Sequence, residues 1–314
     1  MAEGRTVTVV GAGNVGSNTA RRIAERDYAD EVVLIDIVEG LPAGLALDIA
    51  QSAPVEGFDA RVRGTNDYAD TAESDVVVIT AGLPRQPGMS RMDLLDKNSE
   101  IVTSVTEKIA GHSPNAVIIV VSNPLDEMTY LASVVSGFPK ERVLGMAGVL
   151  DSARLRYFIA DKLEVPPAQV EAMTLGSHGD QMVALPRQAT VNGKPLNELL
   201  RAEALEELFT RTRDGGAEIV GLLKKGSAFY APSSAAAKMV NAVLADSKEV
   251  LPACAWTTGQ YGISDVYLGV PVVLGSGGVA GIVELDLNDS ERTSLQEAAE
   301  AIRAKCKELE ERRT

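Results

Sequence analysis

The stretch Thr6-Val7-Thr8-Val9-Val10-Gly11-Ala12-Gly13-Asn14-Val15-Gly16 decides the fold. Residues 6–10 are β-branched throughout and mostly apolar, as in a strand covered by helices on both faces. The glycines follow at once in a G-x-G-x-x-G pattern, and a segment of helical length begins inside it. In that pattern Gly11 makes the tight turn, Gly13 lets backbone approach a pyrophosphate, and Gly16 lets helix and strand pack closely. The start of the helix then offers N–H donors and a partial positive charge to phosphates, so Ala12, Asn14 and Val15 are expected beside the same ligand. Twenty residues after Gly16, Asp36 ends the next strand, where its carboxylate can accept hydrogen bonds from the adenosine ribose. The same charge repels a 2′-phosphate, which predicts NAD rather than NADP. A Gly-x-x-x-x-Gly-Lys-Ser/Thr loop is absent, which argues against a nucleotide triphosphatase.

Outward from this point, apolar β-branched runs recur at residues 32–37, 76–80, 117–121 and 143–146. Segments of helical length, 14–26, 41–52, 90–110 and 126–136, lie between them. Alternating strand and helix predicts a parallel sheet of right-handed βαβ units, an α/β fold of Rossmann type. The remainder reads as an α+β unit with antiparallel strands. Helical stretches are expected at 150–163 and 196–245, strands near 170–175, 188–191, 250–257, 266–274 and 279–285, and a charged helix at 290–312. A division into residues 1–146 and 147–314 follows, with no linker or repeat to mark it.

Composition narrows the function. The 314 residues are 45% apolar and 24% charged, as in an ordinary globular chain with a sizeable core. A net charge of −14 disfavours nucleic acid and anionic membranes as partners. Arginine outnumbers lysine, 19 to 11, and a lysine-poor acidic surface suits a high-salt cytoplasm. The two cysteines, Cys254 and Cys306, are too few for a disulfide framework or a cysteine-rich zinc site, so a reducing compartment and no metal are expected. No apolar run approaches the roughly 18 residues of a membrane helix, and the N-terminal residues enter a strand directly; a cytoplasmic location is expected.

Only two histidines are available for acid–base chemistry. His112 lies in a helix end and turn, where a structural role is expected. His178 follows a predicted strand in Gly176-Ser177-His178-Gly179-Asp180, and the glycines leave its ring room beside a ligand. The residues alone also allow an ordinary loop histidine. Likewise Asp151 could cap a helix, Asn123 could stabilise an Asn-Pro turn, and Arg154 could be a solvated arginine.

The glycine loop, Asp36, Leu83-Pro84-Arg85-Gln86-Pro87-Gly88-Met89-Ser90-Arg91, Val121-Ser122-Asn123-Pro124, Leu150-Asp151-Ser152-Ala153-Arg154 and the His178 motif occur in the order that marks one family. The chain resembles the lactate/malate dehydrogenase superfamily, and within it the malate dehydrogenases of the lactate-dehydrogenase-like branch. That resemblance implies NAD-dependent hydride transfer on a 2-hydroxy acid. His178 would be the general acid/base, suited by an ordinary pKa of about 6.5, and Asp151 its orienting carboxylate. Arg154 would clamp the substrate carboxylate with its planar fork, Arg91 would polarise the carbonyl, and Asn123 would bond the substrate oxygen. Backbone at Val121, Ser122 and Asn123, with Asn98 on the following helix, would contact the cofactor.

Residues 82–92 read as a lid that closes over substrate. Arg85 within them matches the specificity position, where malate dehydrogenases carry arginine and lactate dehydrogenases generally glutamine. A buried second carboxylate needs a cationic partner, so Arg85 implies malate and oxaloacetate. Lactate or another 2-hydroxy acid is the alternative substrate. The resemblance also implies a homo-oligomer, a tetramer ahead of a dimer.

Overall fold

Val7, Val9 and Val10 expose 2% of their surface or less, so the first strand has to be covered on both faces. Burying one such side chain contributes roughly 1.5–3 kcal/mol relative to leaving it exposed. The computed structural model describes residues 4–83, 91–179 and 181–313. Its first half runs β1 (Thr6–Val10), α1 (Asn14–Ala24), β2 (Glu31–Ile35), α2 (Leu41–Glu56), β3 (Arg61–Thr65), β4 (Val76–Ile79), α3 (Arg91–His112), β5 (Val117–Val120), α4 (Leu125–Ser136) and β6 (Val143–Gly145). The second half begins with α5 (Gly148–Leu163), β7 (Val170–Glu171), β8 (Thr174–Gly176), β9 (Met182–Ala184), β10 (Thr190–Val191) and β11 (Lys194–Pro195). It closes with α6 (Leu196–Leu199), α7 (Ala202–Leu223), α8 (Tyr230–Leu244), β12 (Val250–Thr258), β13 (Ser264–Gly275), β14 (Gly278–Ile282) and α9 (Asp289–Arg313).

The strands of the first half are parallel in the order β3-β2-β1-β4-β5-β6. Strand order reverses between β1 and β4, and in such sheets the crevice at the carboxyl ends of those strands is where ligands bind. Helices α1 and α8 pack together on one face, α3 and α4 on the other. β6 meets β12 with Gly145 opposite Cys254, and antiparallel pairing continues through β13 to β8 and β9, with β14 also on β13. One sheet of eleven strands therefore runs from the parallel half into the antiparallel half. The α/β architecture expected from the sequence, a Rossmann-type parallel sheet followed by an α+β unit, is the one found.

Local departures from the expected elements have physical causes. β3 was not expected, because its arginines and Gly64 suit an edge strand that is only partly covered. α2 continues through Pro54 to Glu56, past the end expected at residue 52, and stops at Gly57 in the left-handed region. The stretch expected to be helical from 196 to 245 is three helices, with a break at 224–229 between α7 and α8. β9 and β11, at two or three residues each, are too short to show a periodic pattern. Among the described residues, no helix is long and apolar enough to cross a membrane.

Candidate active site

The carboxyl ends of β1, β4 and β5 open on a cavity of about 600 Å³, with Gly13, Asn14 and Gly16 on its wall together with Asp151, Arg154 and His178. The glycine loop is shaped by close approach. Gly11 holds φ at +101° and donates its N–H to Ile35 O at 2.8 Å, joining the turn to β2. A Cβ on Gly16 would lie 1.8 Å from Gly11 O, so a side chain there would separate α1 from β1. A Cβ on Gly13 would meet nothing within 4 Å, which leaves the backbone open towards the cavity. α1 has no side-chain cap and no acidic residue in its first turn. Its leading N–H groups are thus left for an anion, which fits the pyrophosphate of a dinucleotide. Asp36 accepts from Ala12 N at 2.6 Å through Oδ2 and from Val38 N at 3.0 Å through Oδ1. These bonds tie the carboxylate to the loop and leave acceptor sites for ribose hydroxyls.

On the opposite wall, His178 Nδ1 lies 2.8 Å from Asp151 Oδ2. α5 starts at Gly148 with Ala147 at its N-cap, so Asp151 sits inside the first turn and is not the cap that the sequence also allowed. Only 2% of it is exposed, and the positive end of α5 supports its negative charge. Asp151 is the main reason that His178 holds its proton more tightly than an ordinary histidine; burial works against it, more weakly. Arg154, three residues on along the same helix face, brings Nη1 to 3.4 Å from Asp151 Oδ1. Burial lowers the pKa of its guanidinium and Asp151 opposes the shift, but a guanidinium remains charged throughout. Its Nε is buried without a hydrogen-bond partner. α7 makes room for the side chain at Gly215, where a Cβ would lie 3.3 Å from Arg154 Cδ, while one on Gly216 would sit in ordinary contact with Nη2 at 3.6 Å.

The turn after β5 supplies the third wall. Val121 N donates to Ile79 O at 2.8 Å and the Ser122 hydroxyl to Ala81 O at 2.6 Å, and Val121, Ser122 and Asn123 all line the cavity. Asn98 also borders it, but its amide braces the chain. Nδ2 donates to Asn123 O at 2.6 Å and Leu83 O at 3.2 Å, and Oδ1 accepts from Leu83 N at 2.7 Å. Arg85 and the side chain of Arg91 lie outside the described residues. His112 ends α3, where its carbonyl accepts from Glu73 N. Ser227, Ala228 and Pro232 reach the cavity, whereas Ser233 is buried with its hydroxyl receiving Arg22 Nε at 3.1 Å.

Sequence reasoning missed Arg213, which also lines the cavity, the seat at Gly215, and Asp126. Asp126 had one local signal, a carboxylate beside Glu127 in the first turn of the helix that starts just after Asn123-Pro124. The other two depend on how α7 packs against α5. Among the described residues, no group of three or more His, Cys, Asp or Glu side chains is arranged to hold a metal ion.

The profile of the lactate/malate dehydrogenase NAD binding domain matches residues 5–145, and that of the lactate/malate dehydrogenase alpha/beta C-terminal domain matches residues 148–313. The chain belongs to the lactate/malate dehydrogenase family. Within that family it is 54% identical to a malate dehydrogenase of Chloroherpeton thalassium, over 96% of this chain and 98% of that one. The solved malate dehydrogenase from Salinibacter ruber superposes with a TM-score of 0.94 at 50% identity, covering 98% of both chains. A Cryptosporidium parvum lactate dehydrogenase, solved with lactic acid and nicotinamide adenine dinucleotide, superposes with a TM-score of 0.95 at 42% identity, over 99% of each. This lactate/malate dehydrogenase is an NAD-dependent oxidoreductase, and its glycine loop and Asp36 fall within the matched NAD binding domain.

Proposed function

We propose that the chain is a malate dehydrogenase, transferring hydride reversibly between (S)-malate and NAD to give oxaloacetate and NADH. The observation that carries the reading is the meeting of His178, Asp151 and Arg154 with the glycine loop around one cavity. NAD, when bound, supplies the carbon that accepts the hydride. His178 takes the hydroxyl proton during oxidation and returns it during reduction; with Nδ1 committed to Asp151, Nε2 is the nitrogen that faces substrate. Arg154 binds the carboxylate beside the reacting carbon, Asn123 the reacting oxygen, and Arg91 the charge that develops on it. Residues 1–146 hold the cofactor and residues 147–314 supply the acid/base and the carboxylate clamp.

Arg85 selects a substrate with a second carboxylate. The malate dehydrogenase relatives at 52–54% identity support that choice. Loss of NADH absorbance with oxaloacetate or pyruvate tests it: the wild type prefers oxaloacetate and Arg85→Gln shifts preference towards pyruvate. A wild type that prefers pyruvate refutes the malate assignment.

The working enzyme is a homo-oligomer, a tetramer ahead of a dimer, in the cytoplasm, without nucleic-acid or membrane partners. Exposed apolar side chains along α2, Leu41, Leu47 and Val55, support burial against another subunit. The acidic, lysine-poor composition supports a high-salt setting.

A further inference from the structure

His178 sits on the corner between β8 and β9, beyond Gly176, which is the last residue of β8 and pairs with Met182 at the start of β9. Gly176 and Gly179 flank it with φ of +85° and +125°, and as glycines they restrict the backbone on either side of the ring less than residues with a Cβ would. The bond from Nδ1 to Asp151 orients the ring, but it fixes Nε2 in space only if the main chain beneath the ring is also held. The turn is closed by Met182 N donating to Gly179 O at 3.1 Å, and the hold on residues 177 and 178 comes from across the molecule. Asp126 Oδ2 accepts from the Ser177 hydroxyl at 2.7 Å and from the His178 main-chain N–H at 3.2 Å. Asp126 lies in the first turn of α4, three residues after Asn123, and is 2% exposed. One short turn of the parallel half therefore carries Asn123 on its cavity side and the anchor of His178 on its buried side.

We propose that Asp126 is a positioning residue for His178, setting the distance between the acid/base and Asn123 by clamping the Ser177-His178 backbone to the start of α4. The proposal rests on the reading of His178 as the acid/base. The clamp needs an acceptor oxygen at Oδ2, whatever the charge of the carboxyl. Oδ1 makes no well-formed hydrogen bond, and the groups facing the carboxyl are Glu127 on α4, Cys254 on β12 and His178 itself. Burial holds the Asp126 proton more tightly than usual. An interaction made through the acceptor oxygen survives replacement by Asn, whereas an interaction made through charge does not.

The experiment compares Asp126→Ala, Asp126→Asn and Ser177→Ala with the wild type. It follows oxaloacetate reduction, the melting temperature and the NMR titration of ¹³C-labelled histidine. With only two histidines in the chain, a His112→Gln variant identifies the His178 signal. Positioning predicts that Asp126→Ala lowers kcat about 10- to 100-fold, with KM changed much less, and moves the His178 titration midpoint down. Asp126→Asn restores most of both, and Ser177→Ala shows a smaller loss in the same direction. A folded Asp126→Ala with wild-type kcat and titration overturns the proposal, and so do equal losses in Asp126→Asn and Asp126→Ala. If Asp126→Ala does not fold, a Ser177→Ala variant that leaves both readouts unchanged overturns it. A wild type that does not reduce oxaloacetate refutes the malate reading, while the His178 titration in the variants still decides the role of Asp126.

Discussion

Nδ1 of His178 and Oδ2 of Asp151 lie 2.8 Å apart although 27 residues separate them in the chain. The pair sets the pH response. With His178 as the proposed acid/base, oxaloacetate reduction needs it protonated, so the rate is expected to fall as pH rises through the raised pKa of the histidine, while malate oxidation needs the neutral ring and gains over the same range. Asp151→Asn removes the main cause of the shift. It is expected to move the limb of the reduction profile to lower pH and to cut kcat by about 10²- to 10⁴-fold. Steady-state profiles in both directions check this, and an unmoved limb counts against the pairing.

The same shift enters stability. Folding strengthens proton binding at His178, so the pair stabilises the fold fully below the unfolded value of 6.5 and loses that contribution as pH rises through the higher folded pKa. Denaturant unfolding across that window should show the wild type losing more stability with rising pH than Asp151→Asn. Parallel curves would contradict the linkage.

Arg154→Lys replaces a planar fork by a point charge. Losing a charged hydrogen bond worth about 1.5–3 kcal/mol predicts a fall of about 10- to 100-fold in kcat/KM for oxaloacetate. Stability should change less, because an ammonium can still face Asp151, which meets the guanidinium at a long 3.4 Å, and Nε has no hydrogen-bond partner to lose among the described residues. Kinetics and a melting curve on one preparation separate the two effects.

Gly215→Ala tests the seat beneath that arginine. The new Cβ comes to 3.3 Å from Arg154 Cδ and pushes the clamp by a few tenths of an ångström. Alanine also favours the helix by roughly 1 kcal/mol. Binding of oxaloacetate should therefore weaken severalfold while the melting temperature holds or rises; the reverse pattern would place Gly215 in the fold and not in the site.

If the chain assembles as proposed, salt should tighten the oligomer. At −14 per chain, subunits repel one another over a Debye length of about 30 Å at 0.01 M ionic strength and about 3 Å at 1 M. Sedimentation velocity should show the oligomer persisting to lower protein concentration in molar salt. Equal dissociation in dilute and molar salt removes the charge argument.

Much of the parallel half was legible from local pattern. Buried strands such as Thr6–Val10 and Val117–Val120 announce themselves because covering both faces demands apolar residues throughout. The glycines announce their loop because a left-handed φ at Gly11 and a 1.8 Å approach at Gly16 exclude side chains. Arg61 to Thr65 escaped, since an edge strand places few demands on its residues.

The site was legible as a set of residue types in order, and its assembly was not. Sequence by itself determined the βαβ half and the dinucleotide loop, because each follows from neighbours a few residues apart, whereas His178 stood out from an ordinary loop histidine only through the order of motifs along the whole chain. Tertiary structure decided that Asp151 meets His178, that Gly215 seats Arg154 and that Asp126 holds the backbone of His178. Those contacts come from helices packed around one sheet, where a buried polar group must find its partner wherever in the chain that partner lies.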